Sequence, residues 1–197
     1  MVLPIIAYGT AVLKKKATDI TKDYPQLDVL IANMFDTMHN AKGVGLAAPQ
    51  IGLSIRLFVI DAAPFAEDKE DEDEEEVKEK QELKTFRKVF INAQIVKEDG
   101  AKWKFNEGCL SIPSIREDVE RKPGIRIKYL DENFKPHEEE YDGVRARIIQ
   151  HEYDHIEGIL FIDKINPLRR SLLKRKLSEI SKGQVDVTYK MKFPIKK

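Results

Sequence analysis

The sequence predicts an α+β fold of mainly antiparallel strands packed around a central histidine-bearing helix, with an N-terminal helix, a C-terminal helix and a terminal strand. Three observations lead there. Several stretches repeat apolar residues at helical spacing, others alternate or are rich in β-branched and aromatic residues, and the two kinds do not follow one another in regular βαβ order. The 197 residues are 42% hydrophobic and 35% charged, enough to bury one core beneath an ionised surface, so residues 1–197 read as a single catalytic-sized domain without internal repeats.

The elements follow in chain order. Leu27, Leu30, Ile31, Met34, Phe35 and Met38 recur at i, i+3, i+4, i+7, i+8 and i+11, one apolar stripe of an amphipathic helix. Pro25 suits its first turn and Gly43 lies just past its end. Residues 55–62 and 86–95 read as strands from their β-branched and aromatic content, and 102–105, 125–131 and 136–141 as shorter strands with polar alternation. A second helix over 144–157 ends at Gly158, a good residue for a left-handed helix stop. A third spans 168–182, with Leu168, Leu172, Leu173, Leu177 and Ile180 as its apolar face. Val185, Val187, Tyr189, Met191 and Phe193 then alternate with other residues, the period of a half-buried strand.

Charge is balanced overall, 34 Lys and Arg against 34 Asp and Glu, so nothing pulls the whole chain toward DNA or a membrane. Locally it is not balanced. Residues 67–82 hold 11 acidic residues and 3 lysines, and residues 64–85 read as a solvated acidic surface insertion that repels itself and has little to bury. Residues 164–197 hold 11 basic and 2 acidic residues, a basic helix and strand able to dock on an anionic partner. Cys109 is the only cysteine, which excludes an intramolecular disulfide and fits a reducing compartment, the cytoplasm. No apolar run approaches the roughly 18 residues of a membrane span, and residues 2–7 are too short for a signal-peptide core.

The chemistry is concentrated in His151-Glu152-Tyr153-Asp154-His155. Histidines at i and i+4 project from one helix face, so both imidazoles can reach one cation. Glu152, turned by about 100° from His151, can approach a water on that cation without ligating it. The third ligand is open on these grounds. One class of site takes it from a histidine three residues beyond the glycine, where this chain has Phe161; another takes it from a later helical glutamate, for which Glu179 is available. Cys109 is the remaining candidate, in a glycine-containing segment after an aromatic strand, although a lone cysteine also serves as a small buried hydrophobe.

Three segments occur in order: Gly43-Val44-Gly45-Leu46-Ala47-Ala48-Pro49-Gln50, Glu107-Gly108-Cys109-Leu110-Ser111 and His151-Glu152-Tyr153-Asp154-His155-Ile156-Glu157-Gly158. In these the chain resembles the peptide deformylases. The resemblance implies that Cys109, His151 and His155 hold one divalent metal ion, Fe(II) by preference, with Zn(II), Ni(II) or Co(II) accepted by the same donors. It further implies that Glu152 is general base and then acid, that Gln50 and the backbone N–H of Leu110 stabilise the oxyanion, and that the Gly45 carbonyl receives the substrate amide. The substrates implied are N-formylmethionyl nascent peptides, with formate as a product.

Gly43 and Gly45 let the backbone come close to a substrate. Val44, Val144 and Ile148 are candidates for a methionine pocket, the last two sharing a helix face with His151. Arg116 and Arg121 are candidates to contact the substrate backbone and to pair with Asp154. Glu107 and Asp154 are candidates to orient the histidines. Some bacterial members of the family use a C-terminal helix on the ribosome, which makes residues 164–197 a candidate contact with ribosomal RNA. Two other readings remain: a metallopeptidase using Glu179, and a catalytically silent ribosome-associated metal-binding module.

Overall fold

The structure is a computed structural model that describes residues 1–66 and 74–194. Part of the acidic segment, 67–73, and the last three residues of the basic segment, 195–197, lie outside the described residues. The chain opens with β1 (Ile5–Ile6), then α1 (Leu27–Asn40), β2 (Gly45–Ala47), β3 (Leu57–Asp61), α2 (Glu74–Thr85) and β4 (Arg87–Asp99). There follow β5 (Trp103–Cys109), β6 (Ile112–Arg121), β7 (Gly124–Leu130), β8 (Pro136–Tyr141), α3 (Gly143–Ile156), α4 (Pro167–Leu172), α5 (Lys174–Ser181) and β9 (Met191–Lys192).

The five-stranded sheet runs β2-β3-β4-β7-β8, antiparallel at every step; β5 and β6 form a separate antiparallel hairpin, and β1 pairs β9 in parallel. The α+β expectation is met. Helix α3 lies against the large sheet, where Ala146, Ile148, Ile149 and Ile156 pack among Phe58, Ile60, Phe90 and Ile127. Helix α1 buries its stripe with Leu46, Leu57, Val59 and Ile91. A third apolar cluster joins β1, β6 and the C-terminal helices through Ile6, Ile112, Val119, Phe161, Leu177 and Ile180.

Several elements differ from expectation, each for a physical reason. Pro25 precedes α1 rather than entering it, because Gln26 is left-handed (φ 53°) and the helix begins at Leu27. Strand β6 escapes sequence reading because charged residues occupy its outward positions while Ile112, Ile115 and Val119 face the core. The acidic segment is not all loop. Its Glu, Lys and Gln residues are strong helix formers, α2 buries Leu83, and Glu82 pairs with Arg145 at 2.9 Å. The third helix is two, divided at Leu173 (φ −81°, ψ −9°). Leu168 and Leu172 are exposed, since at about 100° per residue they lie off the face shared by Leu173, Leu177 and Ile180. The terminal strand shrinks to Met191–Lys192, because the edge it pairs with, β1, is only two residues long. Among the described residues, no helix is long and apolar enough to cross a membrane.

Candidate active site

Helix α3 brings His151 and His155 to one side, and its last turn closes at Gly158 with φ 73°. The β5–β6 hairpin brings the thiol. Its register shifts between Gly108 and Cys109, so that Cys109 pairs with Ile112 across a two-residue turn of Leu110 and Ser111; such an irregularity re-aims a side chain. Cys109 Sγ lies 3.3 Å from His155 Nε2, and one ligand atom each of Cys109, His151 and His155 falls within 4.8 Å of the others. Glu179 is not in this cluster. It pairs instead with the exposed Arg175 at 2.9 Å on α5, and its carboxylate is not among the converging ligand atoms.

A buried charge network orients His151 through Glu107. His155 Nδ1 has no partner among the described residues, and Asp154, a candidate to orient a histidine, touches neither. His151 Nδ1–H donates to Glu107 Oε2 at 2.9 Å, leaving Nε2 for the cluster. Glu107 also accepts from Arg121 (2.7 and 2.9 Å) and from Arg147 (3.0 Å). Burial alone would raise its pKa, but the Arg121 and His151 hydrogen bonds outweigh burial and hold it well below the carboxylate range. Arg121 reaches onward to Asp154 at 2.6 Å, and Asp154 also pairs with Lys164 at 3.1 Å. A buried charge pair of this kind is tolerated because every member has a partner.

Glu152 is 4% exposed, and burial pushes its carboxyl up to about 7. Its carboxylate presses on Gly45: a Cβ there would sit 2.3 Å from Glu152 Oε1. Gly43 likewise yields to Leu110, whose Cδ1 would lie 2.7 Å from an added Cβ. The immediate reason for both glycines is therefore the approach of the chain's own side chains. Gln50 is fixed by the Ala47 N–H, which donates to its Oε1 at 2.9 Å, so its amide NH2 faces Cys109 Sγ (3.5 Å) and Ser111 Oγ (3.4 Å).

Gly45, Gln50, Cys109, Leu110, His151 and Glu152 line one cleft of about 540 Å³, the shape expected of a ligand site, with His155 buried behind its wall. One thiol and two imidazoles suit a divalent metal and leave a position open to water. Glu152 Oε2, buried beside them, has no hydrogen-bond partner among the described residues, as a group awaiting a polar ligand would. The donors fit a metal.

A sequence model of the polypeptide deformylases matches residues 2–171. The chain belongs to the polypeptide deformylase family. It is 62% identical over 194 residues to the peptide deformylase of Christiangramia forsetii, covering 98% of this chain and 97% of that one. With the peptide deformylase of Flavobacterium psychrophilum identity is 55% over 197 residues, the full length of both. The crystal structure of a peptide deformylase from Legionella pneumophila superposes with a TM-score of 0.76 at 38% identity, covering 93% of this chain and 98% of that one. The activity is that of a deformylase, the metal-dependent hydrolytic removal of the N-formyl group from nascent peptides.

Of the other candidate residues in this deformylase, Gly43, Val44, Gly45, Leu110, Ile148 and Arg116 line the cleft. Arg116 is exposed and holds Asn106 through the side-chain oxygen (2.8 Å) and the carbonyl (2.6 Å). Arg121 is the arginine that pairs with Asp154. Val144 is not among the lining residues: it packs half-buried against the core at the start of α3, and its N–H donates to Glu79 at 3.4 Å. Sequence reading missed Arg147, 2% exposed and stacked on Trp103 at 4.7 Å. A signal existed, because Arg147 precedes His151 by four residues and shares its inward face. It also missed the C-terminal wall of the cleft, residues 186–189.

Proposed function

We propose that Cys109, His151 and His155 hold the metal of this deformylase, and that Glu152 moves the protons of the reaction. The carrying observation is the convergence of the three ligand atoms within 4.8 Å beside a buried carboxylate at the cleft. When bound, the ion supplies Lewis acidity that makes water a nucleophile at neutral pH. Glu152 takes the proton from the attacking water and returns it to the leaving amine, a role supported by its burial against Gly45. The Gln50 amide, held from behind by Ala47, donates to the oxygen that gains charge at the formyl carbon, with the Leu110 N–H as the second donor. The Gly45 carbonyl aligns the substrate amide. Gly43, Val44 and Ile148 wall the methionine side chain, and Arg116 faces the peptide beyond it.

Fe(II) is the ion we assign, while Zn(II), Ni(II) and Co(II) suit the same mixed sulfur and nitrogen set. A thiolate ligand must stay reduced, which supports a cytoplasmic location. Anaerobic purification with elemental analysis, followed by formate release from a formyl-methionyl peptide, tests this reading. One ion per chain is expected, and Cys109→Ala should lose both ion and activity. An alanine variant that keeps both would overturn the assignment.

The basic segment 164–197 is the proposed contact to ribosomal RNA. Arg169 and Arg170 are engaged with Glu117 and Asp163 inside the chain, so Lys174 and Lys176, exposed on α5, are the residues to reverse. Lys174→Glu with Lys176→Glu should weaken ribosome co-sedimentation at low salt. Equal sedimentation of both proteins across a salt series argues for a merely solvated helix.

A further inference from the structure

The family match ends at residue 171, yet Asp186, Val187, Thr188 and Tyr189 form part of the cleft wall. Tyr189 reaches furthest. Its hydroxyl donates to the Leu110 carbonyl at 2.8 Å, across 79 residues of chain. Leu110 and Ser111 make the turn that follows Cys109. The next carbonyl of that turn, Ser111 O, accepts from the Tyr8 N–H at 2.9 Å, and the Ser111 hydroxyl lies 3.4 Å from Gln50 Nε2.

Tyr8 and Tyr189 belong to one ribbon. Tyr8 follows β1 and Tyr189 precedes β9, and the two strands are joined by Ile5 N–H to Lys190 O and Ala7 N–H to Lys192 O, each 2.9 Å. The two ends of the chain thus pin consecutive carbonyls of the turn beside the thiol.

We propose that Tyr189 is a positioning residue for deformylation: its hydroxyl locks the Leu110 carbonyl and so holds the Cys109–Leu110–Ser111 turn in the orientation the reaction uses. A phenol is protonated at neutral pH and serves as the donor. Losing it would free the Leu110 carbonyl and leave the Ser111 carbonyl, held by the Tyr8 N–H, as the one still tied to the ribbon. The Leu110 N–H and Cys109 Sγ, which flank the freed carbonyl, would then sample a wider range of positions. This inference rests on the deformylase reading.

The test compares Tyr189→Phe with Tyr189→Leu, both against the unaltered chain, by steady-state deformylation, thermal melting and the thiolate-to-metal charge-transfer absorption of the Co(II)-loaded proteins. Tyr189→Phe should fold normally and hold one Co(II). Its kcat should fall about five- to tenfold, the effect of one neutral hydrogen bond, with KM within about twofold. Its Co(II)–thiolate band should move or broaden. Restoration of kcat and of the band by Phe, with a defect in Leu alone, would show that only ring packing matters and would overturn the proposal. Failure of the unaltered chain to release formate would count against the deformylase reading. The Co(II) band would still decide the tether: shifted in Tyr189→Phe it supports the lock, unchanged it refutes it.

Discussion

Glu107 meets Arg121, Arg147 and His151 simultaneously, and this single buried carboxylate sets which imidazole nitrogen of His151 is left to face Cys109 and His155. Glu152, one residue along the helix, lies against Gly45 without such partners, so its environment is shaped by burial rather than by ion pairing. Two expectations belong at this scale. Glu152→Gln keeps the shape but not the proton transfer: metal content should be unchanged while kcat falls by about 10²- to 10⁴-fold. Retained turnover in that variant would falsify the general-base role. Gly45→Ala places a methyl where the carboxylate now sits, which forces Glu152 aside; kcat should drop by about 10²-fold, as a displacement near 1 Å costs. A crystal structure of the variant with Glu152 unmoved and full activity would refute that account.

Among the elements, β8 has its own polar cluster on the large sheet. Glu139 accepts hydrogen bonds from Lys88 (2.7 Å), Tyr129 and Tyr141. Burial works against its charge, but these three donors win and lower its pKa from 4.5 to about 2. A carboxylate depressed in the folded state stabilises fully above its unfolded pKa and loses that stabilisation as pH falls through the folded value. Glu139→Gln should therefore cost about 1–2 kcal/mol near pH 7, discounted for its partial exposure. The gap to the unaltered protein should close between about pH 4.5 and pH 2; urea titrations at several pH values read this directly, and a gap independent of pH would rule it out. The elements legible in sequence were those with a strong private period, α1 and α3 above all, since helical spacing is a local property. Strand β6 was hidden by its charges, and α2 by a composition that suits solvent and helix alike. The break at Leu173 was hidden too, because five leucines and isoleucines can be read on one face until packing shows that Leu168 and Leu172 face outward.

Across the whole molecule, the site joins the hairpin of Cys109 to the helix of His151 and His155, and the paired chain ends brace the turn between β5 and β6. A cation held at that junction binds the folded state alone, so its removal should destabilise the entire chain. Anaerobic chelation is expected to lower the melting temperature by about 5–10 °C, with recovery on adding back a divalent ion; an unchanged melting curve would mean that no ion couples these elements. The paired histidines were legible in advance, because i,i+4 spacing on a helix is a local property. Spacing alone left the third donor open between Cys109 and Glu179, and it is the packing of the hairpin on the helix that brings Cys109 to the histidines. Glu152 was legible as their neighbour on the helix, and the structure buries it at the cleft. What could not be read along the chain was which charges meet: Arg147 and Arg121 on one carboxylate, Gly45 under another, Tyr189 on the Leu110 carbonyl. Those contacts depend on strand register and on how helix, hairpin and chain ends pack, and many pairings of similar charge and size are equally compatible with the linear order until close packing selects one.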